Sequence, residues 1–250
     1  MKNTLRFMTI LLFALAMASC TKDSNDGGGN GGNNGVENNG GNNGQNSGEN
    51  GGGNGGGNGT YNGHEYVDLG LPSGTLWATC NVGANTLEEY GDYFAWGETT
   101  IKTGRYDWST YKYCKGSYNT LTKYCDKSYY GYNGFTDHLA VLLPEDDAVT
   151  VNWGDGWSTP SREQWVELYN NTTRIWTFKP SGVEGEIFIA SNGNSLFLPA
   201  AGAYWSSSLY VGGDCSMAFC LHFNSENCLV YTTRRDFGCS VRPVHSPAKY

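Results

Sequence analysis

Apolar positions are spread very unequally along this chain. Phe7 to Ala18 is an uncharged, mainly apolar run, with Lys2 and Arg6 just before or at its start. At about a dozen residues it is too short for a helix to cross a ~30 Å hydrocarbon layer, and it has the proportions of a cleaved export signal. Apolar side chains then nearly disappear. Gly27 to Gly59 is almost wholly Gly and Asn, broken only by Val36, Glu37, Gln45, Ser47 and Glu49. Such a segment has nothing to bury against its ordering entropy. As a coil of about 33 residues it has an r.m.s. span of roughly 30 Å.

Regular patterning begins after Thr60. Glu65 to Leu71 alternates apolar and polar, Pro72-Ser73-Gly74 turns, and Thr75 to Cys80 runs back, which predicts a hairpin. Tyr90 to Gly97 reads as a further strand or an aromatic loop. From Glu98 to Thr136 the chain is rich in Tyr, Lys and Gly without a clean period, as expected of a long irregular insertion. The acids after Pro144 suit a helix N-terminus, and Ala148 to Val151 predicts a short helix. Ser161 and Gln164 make a capping box, and Trp165, Leu168 and Tyr169 fall on one face of a helix over Arg162 to Asn170. Asn192-Gly193 between two apolar runs predicts a second hairpin. Short strands are expected at Ala203–Leu209, Met217–Phe223, Cys228–Thr233 and Cys239–Val244.

The chain therefore divides into residues 1–19, a signal peptide; 20–59, a Gly/Asn linker; and 60–250, one folded domain of α+β class. Ala18 and Ser19 are small, as a signal peptidase requires, and Cys20 directly follows them, so the sequence resembles a lipobox with Met17 in place of the usual Leu. Lipidation at Cys20 would anchor the chain stably, because each buried CH₂ contributes about 0.8 kcal/mol. Outer-membrane lipid is thus the first expected partner. Thr21 to Asp26 resembles the surface-export signal of Bacteroidetes lipoproteins, which points to the cell surface.

The full chain carries a charge of −8; without Lys2 and Arg6, fourteen basic residues face 24 acidic ones, giving −10. Nucleic acid is not an expected partner, since phosphate binding requires a basic patch. Of the eight cysteines, Cys20 is assigned to lipid, and the seven remaining are an odd number, leaving at least one unpaired. An exported domain permits disulfides. Cys114 with Cys125, and one or more pairs among Cys215, Cys220, Cys228 and Cys239, are the expected local pairings. A zinc site from Cys215, Cys220, His222 and Cys228 matches no standard spacing, so no metal or other cofactor is assigned.

Several strings occur together: Tyr66 to Ala78, Tyr90 to Glu98, Asn152 to Ser161, Leu198 to Gly202, Tyr204 to Ser208 and Gly238 to Val244. As a set they resemble the Fibrobacter succinogenes major paralogous domain of Bacteroidetes surface lipoproteins, over nearly all of Tyr61 to Val244. The resemblance implies a C-type-lectin-like α+β fold, with two short helices on irregular antiparallel sheets, and a role in carbohydrate or protein adhesion.

Three tryptophans, Trp153, Trp157 and Trp205, can stack on sugar rings, but beside tight turns they are expected as structural residues. Arg242 is likewise expected to be structural, as partner of a carboxylate, with Arg234 and Arg235 at the surface. The ligand-binding candidates are the insertion tyrosines Tyr111, Tyr113, Tyr118, Tyr129, Tyr130 and Tyr132, because Tyr among Gly and Ser makes rigid amphipathic contacts in loop-based binders. Asp146, Asp147, Asp155 and Asp214 can ligate calcium, yet capping and turn roles account for them more simply. No hydrolase, zincin or phosphate-loop motif is present, so no catalytic residue is assigned. The expectation is a surface binding module for glycan or surface protein; the alternatives are a structural part of a surface assembly or an extracellular enzyme.

Overall fold

A computed structural model describes residues 58–247. The signal segment, Cys20, nearly all of the Gly/Asn linker and the last three residues lie outside the described residues.

Five strands form the first sheet: β1 (Asn58–Tyr61), β2 (His64–Asp68), β3 (Leu76–Ala78), β4 (Trp157–Ser158) and β11 (Val244–His245), in the order β1-β2-β3-β11-β4. The first expected hairpin is β2–β3, with Val67 opposite Trp77. Two three-stranded antiparallel sheets complete the domain. One is β5 (Thr172–Phe178), β6 (Glu184–Ala190) and β7 (Ser195–Pro199); the other is ordered β10-β9-β8, from β8 (Ala203–Leu209), β9 (Met217–Phe223) and β10 (Cys228–Arg234). The β6–β7 turn places Gly193 at φ +87°, a backbone region that disfavours any side chain. The domain is mixed, mainly antiparallel sheet with two short α-helices, and so of α+β class.

Helix α1 (Ala148–Trp153) is capped by Asp147, whose carboxylate accepts from the Val149 amide at 2.9 Å. Helix α2 (Arg162–Asn171) starts with the full capping box: Gln164 N–H donates to Ser161 Oγ at 3.2 Å, and Ser161 N–H donates to Gln164 Oε1 at 2.8 Å. Its apolar face buries Trp165 and Leu168 against β5, β6 and β8 to β10. A buried Leu of this kind contributes about 2 kcal/mol. Trp77, Trp165, Phe188 and Tyr204 lie in this core. A second core, built on Phe94, Trp96, Trp157, Trp205 and Tyr124, joins the five-stranded sheet to the insertion.

Several elements differ from the sequence expectation: Asn58 and Gly59, assigned to the linker, open β1, and Trp157–Ser158 forms the unexpected β4. Strand β5 follows α2 without a breaker, so its Thr-Thr-Arg-Ile-Trp-Thr-Phe pattern is masked by the helix before it. Tyr90 to Gly97 takes the aromatic-loop alternative: Phe94 bridges Cys239, and Trp96 N–H donates to Arg235 O at 2.9 Å. The last expected strand shrinks to Val244–His245, because Cys239, Ser240 and Val241 each pair with a different segment, at Phe94, Tyr204 and Val82.

Both arginine expectations need correction. Arg235 is fully buried. It donates to Tyr111 Oη (3.0 Å) and to the carbonyls of Tyr124 (2.8 Å), Cys215 (2.9 Å) and Lys123 (3.0 Å). Its guanidinium also lies over Trp96 and Tyr111. Arg242 is buried and structural as expected, but it is held by neutral oxygens: Asn81 Oδ1 (2.8 Å) and the carbonyls of Ala78 (2.9 Å), Thr79 and Phe197 (3.3 Å). Burial pushes its pKa down to about 10, still far enough above neutral for it to stay protonated. The preference for carbonyls follows from the fork of guanidinium donors, which can close several loop ends at once. Arg235→Ala is expected to lower stability by about 3 kcal/mol or more, since several buried acceptors lose a charged donor. Arg235→Lys should recover little of it, because one ammonium cannot span the same sites. Chemical denaturation of both variants checks this.

Candidate functional site

The insertion is built by turns rather than by ladders. Asp107 accepts from Ser109 N–H at 2.9 Å, and Thr120 Oγ1 accepts from Lys115 and Ser117 N–H at 3.1 and 3.2 Å. Leu121, fully buried, bridges both Cys114 and Gly131. At Gly131 a Cβ would collide with the Phe135 carbonyl, so only Gly allows the chain to close there. Asp137 finishes the loop by accepting from the amides of Tyr124 (2.7 Å), Cys125 (2.8 Å) and Leu139 (3.1 Å).

This framework sorts the candidate tyrosines into two groups. Tyr111 and Tyr113 point inward and are buried, together with Tyr124. They form an edge-to-face chain: Trp96–Tyr124 at 5.0 Å, Tyr124–Tyr113 at 5.9 Å and Tyr113–Tyr111 at 6.0 Å. Tyr111 Oη donates to Trp96 O at 2.7 Å, and Tyr113 Oη donates to Asp146. Both rings belong to the core under the insertion, which removes them as ligand contacts. Their hydroxyls stay neutral. Burial raises both pKa values far above the usual range, and Asp146 adds to the shift at Tyr113.

Tyr118, Tyr129 and Tyr132 point outward, with 42%, 69% and 45% of their surface exposed. Tyr130 lies between Tyr118 and Tyr129, edge-on to both at 6.3 and 5.1 Å. The hydroxyls of Tyr118 and Tyr129 are neighbours, and that of Tyr130 lies near Asp214 on the β8–β9 loop. The Tyr129 hydroxyl pushes the Tyr118 pKa upward. For Tyr130, burial and then the Asp214 carboxylate act the same way. The result is a patch of two exposed rings, Tyr118 and Tyr129, with the half-buried Tyr130 between them and Tyr132 and Phe135 beside it in the chain.

A second concave place opens where the insertion leaves the core. Gly91, Asp92, Tyr93, Ile101, Lys102, Tyr106 and Gly238 line a surface groove of about 490 Å³. Tyr106 Oη donates to Tyr93 O and accepts from Lys102 N–H at 3.1 Å, and the ring lies against Gly238. Lys102 is held by Glu98 at 2.6 Å. Sequence reasoning did not single out Tyr93 or Tyr106, although both stand in aromatic, Gly-punctuated strings.

The other candidates fall into structural places. Trp157 and Trp205 are buried and donate to the carbonyls of Tyr61 (3.1 Å) and Phe94 (2.7 Å). Trp153 is half-buried, stacked on His64 with centroids 3.7 Å apart. Asp146 accepts from Tyr113, Tyr124 (2.6 Å) and Lys123. Asp147 accepts from Thr159 as well as from the α1 amide, with burial raising its pKa. Asp155 is exposed, and Asp214 accepts from Ser216 N–H at 2.9 Å. Among the described residues no group of three or more His, Cys, Asp or Glu side chains is placed to hold a metal ion.

The expected disulfides are not formed: Cys114, Cys125, Cys215, Cys220, Cys228 and Cys239 all carry free thiols. Cys114 does not meet Cys125, because its thiol turns to the Trp108 carbonyl at 3.1 Å while Cys125 turns inward. Burial pushes the Cys220 and Cys228 thiols up to about 12, so both stay protonated at neutral pH. Comparison with protein-family models, curated proteins and solved structures finds no match to this chain.

Burial opposes ionisation of Asp146, but hydrogen bonds from Lys123, Tyr113 and Tyr124 outweigh it and hold the carboxyl below its usual range. A depressed carboxyl stabilises the fold above the unfolded value of about 4, and that contribution is lost as pH falls through the lower folded value. Asp146→Asn is expected to cost about 2–3 kcal/mol at neutral pH and to flatten this part of the acid unfolding curve. Denaturation followed between pH 7 and pH 2 reads both effects.

Proposed function

We propose that this chain is a lipoprotein, anchored in the outer membrane through Cys20 and displayed at the cell surface. Its head is a C-type-lectin-like binding module of the Fibrobacter succinogenes major paralogous domain type, which recognises glycan or a surface protein without catalysis. The observation that carries the reading is the outward pair Tyr118 and Tyr129, packed on either side of the half-buried Tyr130 on a base locked from below. Exposed aromatic surface of this kind marks interaction sites. A tyrosine ring offers the apolar face of a pyranose a flat partner, and its hydroxyl reaches sugar hydroxyls. Rings already fixed by one another lose little freedom on binding, which favours affinity. Asp146 and Asp147 are committed to internal hydrogen bonds, which supports binding rather than acid–base chemistry.

A glycan and matrix-protein array probed with the detergent-solubilised full chain tests the reading. Tyr118→Ala and Tyr129→Ala are each expected to weaken a true hit about tenfold, equivalent to about 1.4 kcal/mol, with thermal stability unchanged. Retention of full affinity in both variants places recognition elsewhere. In the same preparation, palmitate label should enter the wild type and not Cys20→Ser.

A second reading, a structural component of a surface assembly, is favoured by the sheet edges. Strands β5 and β10 end their sheets, and they expose Ile175 and Phe178 in one case and Leu229 and Tyr231 in the other. A strand that ends its sheet can act as a template for strand addition. This reading predicts concentration-dependent association in sedimentation that Leu229→Lys abolishes.

A further inference from the structure

Cys125 lies in the insertion and Cys215 on the loop between β8 and β9, yet their sulfurs are 3.3 Å apart in the buried core. The approach follows from how both backbones are held. One nitrogen of Arg235, Nη1, donates to the carbonyl of Tyr124 and to that of Cys215, and so draws the two loops to one point. The Cys125 amide donates to Asp137, and its carbonyl accepts from Asp137 and His138 N–H at 3.0 and 3.2 Å. The same loops meet twice more. Gly212 N–H donates to Asp126 at 3.1 Å, and Lys127 Nζ donates to Gly212 O at 2.9 Å. Several non-covalent contacts thus hold two thiols at a separation that side-chain rotation can reduce to a bond of about 2.05 Å.

We propose that Cys125 and Cys215 are a disulfide site, which on oxidation staples the insertion to the β8–β9 loop directly beneath the tyrosine patch. The structure shows its reduced form. Closure is thiol–disulfide exchange with an oxidised dithiol catalyst or oxidised glutathione. One thiolate attacks the oxidant's disulfide, the second displaces the resulting mixed disulfide, and two oxidant thiols leave carrying the protons. The two cysteines are thereby oxidised and the oxidant reduced by the same two electrons. Both sulfurs are fully buried, and burial, together with the hydrogen bond between them, pushes the Cys215 thiol up to about 12. Thiolate attack is therefore favoured while the loops are still open, and the finished bond is shielded from reductants. The cross-link spans 90 residues of sequence, a large loop to close in the unfolded chain. This inference does not depend on the identity of any ligand.

The test uses the full chain, refolded in detergent with oxidised glutathione and digested without reductant. A peptide pair joining Cys125 to Cys215, about 2 Da below the sum of its parts, is the expected product. Reductant should then lower the melting temperature by about 5–15 °C in the wild type. Cys125→Ser should lack the part of the reductant-dependent shift that the Cys125–Cys215 bond supplies, and should melt below the oxidised wild type. Trypsin should cut at Lys127 faster after reduction. Recovery of both Cys125 and Cys215 as alkylated thiols after oxidative refolding, or of either joined to a different cysteine, overturns the proposal. The wild-type mass measurement stands even where the Ser variant fails to fold.

Discussion

The buried guanidinium of Arg235 is the constraint on which the outer half of the domain depends. It makes hydrogen bonds to four neutral oxygens, and these come from three separate segments of chain. A charge in the interior is costly unless its donors are filled. Here the filling is done by loop carbonyls that themselves lack ladder partners. Each side satisfies the other: the arginine gains acceptors, and the insertion gains a donor it cannot find within its own irregular backbone. Arg242 repeats the solution on the other core, joining Ala78, Thr79, Asn81 and Phe197.

Asp146 is the counterpart of opposite sign. It collects Tyr113, Tyr124 and Lys123 at the point where the insertion returns to α1. The insertion is therefore ordered by a few polar nodes deep below the surface, with aromatic rings packed edge to face between them. The rings left outside, Tyr118 and Tyr129, pack edge-on against the half-buried Tyr130, which itself rests on the core. A face of this kind can be stiff without regular secondary structure, which is what recognition of a weakly binding ligand requires.

Elements governed by short-range chemistry were legible in the sequence. The Ser161–Gln164 box, the Asn192-Gly193 turn and the Pro72-Ser73-Gly74 hairpin depend on neighbours a few residues away, and they occur where their patterns place them. What depends on distant partners was not. Nothing local distinguishes Tyr111 from Tyr118, since the difference is that Arg235, more than a hundred residues later, lies over one ring. The same holds for the cysteines. Spacing brings Cys114 and Cys125 together, while the fold turns Cys125 toward Cys215 instead. Arg235 looked superficial beside Arg234 because a basic pair at the end of a short strand carries no mark of which member faces inward.

Arg235 also sets an order of events. Its partners lie 20 to 124 positions earlier in the chain, and contacts so remote in sequence form late. Until the segment carrying residue 235 has emerged, Trp96 and Tyr111 lack the guanidinium they pack around. The domain is thus closed from its C-terminal end, like a drawstring, and a chain interrupted shortly before residue 235 would keep its early hairpins while leaving the aromatic interior open to water.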